Sequence, residues 1–419
     1  MNAKTLYIIT CFFSSFLFTV IFTVNMVYQV EVVGLNALEL VLVGTILEIT
    51  AFCFEIPTGV VADLVSRRLS IVIGFALIGV GFVVEGSLPF FWAVAGTQVL
   101  WGLGSTFTSG AQEAWVVDEM VVEQGDDSDV PDAFLRGSQA GNLGAIIGIP
   151  VSVAIGWQNA ALPVVGGGLG MAALAVVLAF VMPEKGFKPT RQANRETWTS
   201  MRKTVSTASG LIRCDRVLIL LLVVSFIYGA SSEGYDRLTA PHLLRNFTFP
   251  YYDVVRPVAW FGLISLVSQL ISLGLTELAR RGVDLGRSST VSAVLFWMNG
   301  GIVGALLVLA WANQFGLALA ALWVFTALRR AGGPLLTVWF NQLVEDPSVR
   351  ATMFSVRAQV DAVGQIAGGP PVGAVGHWLS IRWALTASAS VLSLVLPVYA
   401  FATLRLRKRR HDDGRFPKD

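Results

Sequence analysis

Ionisable side chains inside long apolar stretches are the residues of this chain most suited to chemistry. A charge held away from water is costly and is kept where it moves a proton, an ion or a polar solute. Glu48 and Glu55 share one such stretch, 39–62. Seven residues apart on a helix, they lie within about 20° around the axis and about 10 Å along it, with Phe52 between them on the same face. Mutual repulsion in a poorly solvated cavity equips at least one of them to load and release a proton. The competing reading is that Glu55 hydrogen-bonds backbone opened by Pro57. A second cluster, Glu233, Asp236 and Arg237, lies beside Gly229 and Gly234. Arg237 neutralises one acid and leaves the other as a proton or cation site, or as part of an outer-edge salt bridge. Arg329 and Arg330 fall at mid-depth of the stretch 315–340, and Asp361 at a comparable depth of 353–376. Pairing Asp361 with one arginine is the simplest way to hold these charges. The other arginine then needs a carboxylate, water or an anionic solute, or else extends toward the membrane surface. Asn25 and Gln365 are uncharged groups able to orient a solute or to bond a neighbouring helix. Trp101, Phe107, Tyr228, Trp297 and Trp339 offer aromatic surface suited to a lipophilic cation or planar molecule. With 26 Phe and 12 Trp in the chain, most rings must instead face lipid or other helices.

The elements that position these residues are apolar helices. Of 419 residues, 54% are hydrophobic and 14% charged, so most of the surface faces something other than water. About twelve stretches are long enough to cross a bilayer: near 6–28, 39–62, 69–86, 90–114, 136–156, 162–182, 217–237, 257–278, 289–311, 315–340, 353–376 and 383–404. The first follows a single lysine and lacks a small-residue cleavage site, so it reads as a span rather than a signal peptide. With both termini in the cytoplasm, Arg237, Arg245, Arg256 and Arg382 alone among the 30 Lys and Arg occupy outer loops, an orientation the positive-inside rule favours. The basic loop 184–216 separates the first six spans from the last six, which gives bundles at 1–183 and 217–405 and a tail at 406–419.

The fifth and eleventh spans align at an offset of 220 residues: Gln139 with Gln359, Gly144 with Gly364, Gly148 with Gly368, Pro150 with Pro370 and Gly156 with Gly376. Such register points to internal duplication, with a solute held between pseudo-symmetric halves.

Between the second and third spans the chain reads EIPTGVVADLVSRR. Glycine, acid and two arginines at a membrane exit describe a short turn shaped by charge-assisted hydrogen bonds. Gly59, Asp63, Arg67 and Arg68, together with the six-plus-six arrangement, resemble the major facilitator superfamily; Ser66 stands where that signature has a second glycine. The resemblance implies an all-α membrane protein of twelve transmembrane helices in two pseudo-symmetric bundles. It also implies that Asp63 and Arg67 join Asp118, in SGAQEAWVVDE, as a gating latch with Arg68 in the same motif; solvated loop charges are the other reading. FEIPTGVVAD, SGAQEAWVVDE, FVMPEKGF and SSEGYDRLTAPHLL are similar to the drug:proton antiporter branch that includes tetracycline and macrolide exporters. Two features depart from that branch: Ile149 separates Gly148 from Pro150, and Gln98 stands where the fourth span usually has arginine.

Other classes are set aside. The glycine runs 164–170 and 102–110 follow no strand and no Walker lysine accompanies them, so nucleotide binding is not expected. His242, His377 and His411 are scattered, as are Cys11, Cys53 and Cys214; no metal set and no disulfide framework is expected. A net charge of +2 in short clusters argues against nucleic acid. Asn246-Phe247-Thr248 formally matches a glycosylation sequon, a triplet that also arises by chance. The acidic loop 119–132 and the basic tail read as solvated, with anionic-lipid contact open to the tail, and 195–213 as a short surface helix. The expectation is a monomeric, cofactor-free, non-enzymatic protein of the bacterial plasma membrane, in contact with lipid, protons and a small-molecule substrate. It exports lipophilic drug-like compounds in exchange for protons. Proton-driven uptake of an organic anion or nutrient and a non-transporting receptor or scaffold are the alternatives.

Overall fold

The computed structural model describes residues 2–125, 128–188, 216–251, 256–282, 286–344 and 347–413. They form helices, with no strand among the described residues: α1 Ala3–Val27, α2 Ala37–Leu64, α3 Arg67–Ser87, α4 Phe91–Thr108, α5 Ala111–Gln124, α6 Val130–Gly156, α7 Ala161–Val181, α8 Arg216–Asn246, α9 Pro257–Gly282, α10 Ser288–Trp311, α11 Phe315–Leu343, α12 Pro347–Trp378, α13 Ile381–Ser393 and α14 Val395–Asp413. Eight spans among the described residues, counting α13 with the start of α14 as one, are by themselves long and apolar enough to cross a membrane. The remaining long helices carry polar or glycine-rich segments, as in α4 with Thr97, Gln98 and Ser105, and in α12 with Arg357 and Asp361.

Local chemistry sets most boundaries. Asn2 caps α1 by accepting from the Thr5 amide at 2.8 Å. Asn36 and Glu39 cap α2 reciprocally, the Asn36 side chain accepting from the Glu39 amide at 3.0 Å and Glu39 from the Asn36 amide at 2.8 Å. The fourth span is shorter than its apolar run suggests. Ser109 is extended and Gly110 adopts a left-handed φ of 71°, so the helix stops at Thr108. The chain restarts as the separate helix α5, which takes up part of the expected acidic loop. The last span also breaks, at Leu394, because Pro397 has no amide to give and its ring crowds the carbonyl one turn back. The expected surface helix at 195–213 lies outside the described residues.

The described chain divides into two compact units. One contains α1 to α7 with Phe249–Ser265; the other contains α8 with the chain from Leu266 onward. In the first, α1 packs on α6, α3 on α4 and α7, α2 on α4, and α1 on α7. In the second, α8 packs on α12, α10 on α11, α13 and α14, and α8 on α13. Most of this pairing repeats with span numbers advanced by six.

The duplicated glycines explain the repetition at atomic level. A Cβ at Gly144 or Gly148 would strike the carbonyls of Phe12 or Phe16 on α1, and one at Gly364 or Gly368 those of Phe226 or Ala230 on α8. Both helix pairs approach too closely for any side chain at these positions.

Candidate functional site

The turn after α2 shows why serine suffices where a second glycine was expected. Ser66 is extended, with φ −175°, a conformation any residue adopts. Its hydroxyl accepts from the Leu69 amide at 2.9 Å, capping α3, and donates to Glu184 Oε2 at 2.7 Å. The Arg68 amide donates to Glu184 Oε1 at 3.0 Å, and its guanidinium donates to the Ala179 carbonyl on α7. Arg67 forms an ion pair with Asp118 on α5 and donates to the Ala114 carbonyl at 2.7 Å. The structure therefore brings Arg67 and Asp118 together. Asp63 is exposed and makes no ion pair among the described residues, and Gly59 has open space where a side chain would go. The segment after α7 completes the cluster: Trp115 Nε1 donates to the Pro183 carbonyl at 2.7 Å, and the Gly186 amide donates to Glu119 at 2.6 Å. These ties were not legible in the sequence, although the segment FVMPEKGF was.

On α2, Glu48 is half-buried, and Glu55 and Phe52 are exposed. The Thr58 hydroxyl donates to the Phe54 and Glu55 carbonyls at 2.8 and 3.2 Å, which supplies hydrogen bonds to the backbone beside Pro57.

The second unit holds the densest set of charges. Glu233 is buried and accepts from Arg237 Nε at 3.4 Å. Asp236, three residues on, takes the fork of Arg329: Nη2 reaches Oδ2 at 2.8 Å and Nη1 bonds Oδ1. Arg329 also stands 4.6 Å over the Tyr235 ring. The Arg329 and Asp236 side chains are each 41% exposed. Arg329 thus pairs with Asp236 rather than with the expected Asp361, because Asp236 presents both oxygens to the fork while Asp361 accepts from Gln365 on its own helix at 3.0 Å. Arg330 donates to Gln269 Oε1 at 2.5 Å. An ion pair in a membrane-spanning unit is tolerable at this exposure where it faces water rather than lipid.

Beside this set, the Tyr228 hydroxyl donates to Asn299 Oδ1 at 2.8 Å and lies 3.1 Å from the Tyr399 hydroxyl. Trp339 is fully buried against the Tyr399 ring, 5.2 Å between centroids. It packs rather than offering an open face. Trp101 is half-buried, with its ring 4.8 Å from that of Phe22 and 5.7 Å from that of Phe82. Trp297 is largely exposed, and Asn25 is buried.

Glu85 was overlooked in the sequence. It is fully buried on α3, accepts from Gln29 Nε2 at 2.8 Å, and its carbonyl accepts from the Tyr28 hydroxyl at 2.5 Å. The signal was present, since an acid inside the stretch 69–86 meets the same criterion as Glu48. It stands next to the end of that stretch.

Comparison with known proteins places this architecture. The model of the Major Facilitator Superfamily matches residues 6–298, well over half the chain. The chain belongs to this superfamily. No curated protein sequence matches it. Among solved structures, the nucleoside transporter NupG superposes with a TM-score of 0.73 at 17% identity, covering 97% of this chain and 100% of that one. A peptide transporter POT in complex with sulfate gives 0.71 at 14% identity, with coverage of 97% and 94%. A POT family transporter in complex with 5-aminolevulinic acid gives 0.68 at 14% identity, covering 96% of each chain. At these identities the likeness shows the fold of superfamily transporters, all-α and membrane-spanning. Membership makes the chain a multi-pass membrane transporter rather than an enzyme.

Proposed function

We propose that this superfamily member is a proton-coupled secondary transporter that exports lipophilic, drug-like molecules by alternating access. It is set in the bacterial inner membrane with both termini in the cytoplasm. The observation that carries ion-coupled transport is the Arg329–Asp236 pair, bidentate and 41% exposed on each side. A proton on either Asp236 or a neighbouring acid weakens the hold on Arg329, and an anionic group competes for it, so protonation and solute binding act on one bond. Glu48 and Glu55 are the proton carriers on α2. Exposed Glu55 and exposed Phe52, three residues apart on one face of α2, offer a carboxylate and a ring, a combination that receives a lipophilic cation. Within the second unit, Tyr228, Arg329, Asp361 and Gln365 are the side chains that orient a solute. The Arg67–Asp118 pair, with Asp63 and Arg68, gates the cytoplasmic side.

A second reading, proton-driven uptake of a polar or anionic nutrient, is favoured by Arg329 itself, whose fork suits a carboxylate or phosphate. Nucleosides and peptides, named for the structural neighbours, illustrate the size of such solutes.

Two measurements decide between them. Expression in a drug-sensitive bacterium raises tolerance to tetracycline-like, macrolide or cationic compounds if export is right; unchanged tolerance across the panel, with accumulation of a labelled metabolite, overturns export in favour of uptake. In proteoliposomes, Glu48→Gln stops flux driven by a pH gradient and leaves solute exchange intact. Undiminished driven flux moves the proton site elsewhere.

A further inference from the structure

In the first unit a closed polar layer sits on an aromatic floor. The rings of Phe22 on α1, Phe82 on α3 and Trp101 on α4 meet with centroids 5.5, 4.8 and 5.7 Å apart. One turn further along each helix, in the same direction, stand Asn25, Glu85 and Gln98. Gln29 follows Asn25 by another turn and reaches back to Glu85 with its amide nitrogen, at 2.8 Å. All four are sealed from solvent, with exposures of 2% for Asn25, 0% for Glu85 and 1% for both Gln29 and Gln98.

The layer is rich in acceptors. The side-chain oxygens of Asn25, Gln29 and Gln98 are buried without a hydrogen-bond partner, which ordinarily costs about 1–3 kcal/mol each. Gln29 is anchored by its nitrogen to Glu85, so its oxygen is held in the same neighbourhood. The backbone is adapted to this placement. Tyr28–Val32 forms a π turn, closed by the Val33 amide on the Tyr28 carbonyl at 3.0 Å. The turn ends the first helix and contains Gln29; π segments recur at functional sites.

We propose that Asn25, Gln29, Glu85 and Gln98 form a binding site for a small alkali cation, sodium in the first instance. Hard cations take oxygen ligands, and this layer supplies a carboxylate and three amide oxygens. One carboxylate balances a monovalent charge and leaves a divalent ion uncompensated. A proton on Glu85 gives a single O–H and satisfies one acceptor, whereas a metal ion engages several oxygens at once.

The test uses the full-length protein purified in detergent and needs no knowledge of the transported solute, so its outcome is separate from that of the transport reading. Thermal unfolding is followed by tryptophan fluorescence in sodium, lithium, potassium and choline chlorides at equal ionic strength and at several pH values. Sodium raises Tm over choline by roughly 2–4 °C and saturates; Glu85→Gln, Gln29→Leu and Gln98→Leu abolish the increment. The comparison of salts on the unaltered protein stands even if a variant fails to fold. Equal Tm in every salt overturns the site, and so does a pH-dependent Tm indifferent to sodium, which makes Glu85 a proton acceptor.

Discussion

The two units share a scaffold and differ in where they keep their charges. In each, the first helix lies against the fifth through glycines whose missing side chains admit the partner's carbonyls: Gly144 and Gly148 against Phe12 and Phe16, Gly364 and Gly368 against Phe226 and Ala230. The polar groups follow no such equivalence. The first unit concentrates arginine at one end, in the Arg67–Asp118 pair, and holds a buried carboxyl, Glu85, among amides. The second carries arginines within its spans and pairs Arg329 with Asp236 and Arg237 with Glu233. Duplication therefore conserves close packing, which has few solutions, while charge is placed independently in each half.

The largest effects should come from the shared part. Gly144→Leu and Gly364→Leu each drive a branched side chain into a backbone carbonyl, so each should cost about 3–5 kcal/mol and remove most folded protein, read by size exclusion of the solubilised chain. Equal losses sharpen the equivalence, and a tolerant half breaks it. Next in size is the unshared part. Arg329→Gln should lower driven transport by about 100-fold with folded yield retained, since the pair is 41% exposed on each side and its loss strands a partly exposed carboxylate rather than a buried one. If flux survives, the second unit's charges are structural. Arg67→Glu places two acids together and should likewise abolish flux in folded protein; normal flux removes the latch. The smallest effect belongs to Ser66. Ser66→Ala loses the α3 cap and the bond to Glu184, about 1 kcal/mol, whereas Ser66→Gly should cost only a few tenths of a kcal/mol for the cap, because glycine is itself tolerated at an N-cap. Tm of the two variants checks both.

The architecture was legible because apolar length and glycine register are local properties of the chain. Gly144 and Gly364 could be matched by counting. Sites were less legible because they depend on which helix lies opposite. Asp361 and Asp236 are both acids at plausible depth, and only packing gives Arg329 to Asp236. Glu85 was hidden by position near the end of a stretch, and Trp339 looked available until Tyr399 covered it. Ser66 shows the converse: the departure from the expected glycine mattered little, because the local φ is extended.

The separation of α4 from α5 at Ser109–Gly110 has a mechanical consequence. Since α5 is not a continuation of α4, it is free to serve as a cleat. The chain leaving α7 is moored to it at Pro183 and Gly186, and to the head of α3 through Glu184. The chain from Pro183 to Gly186 is thereby held by α5 and α3, the two helices joined by Arg67 and Asp118, as well as by its own attachment to α7.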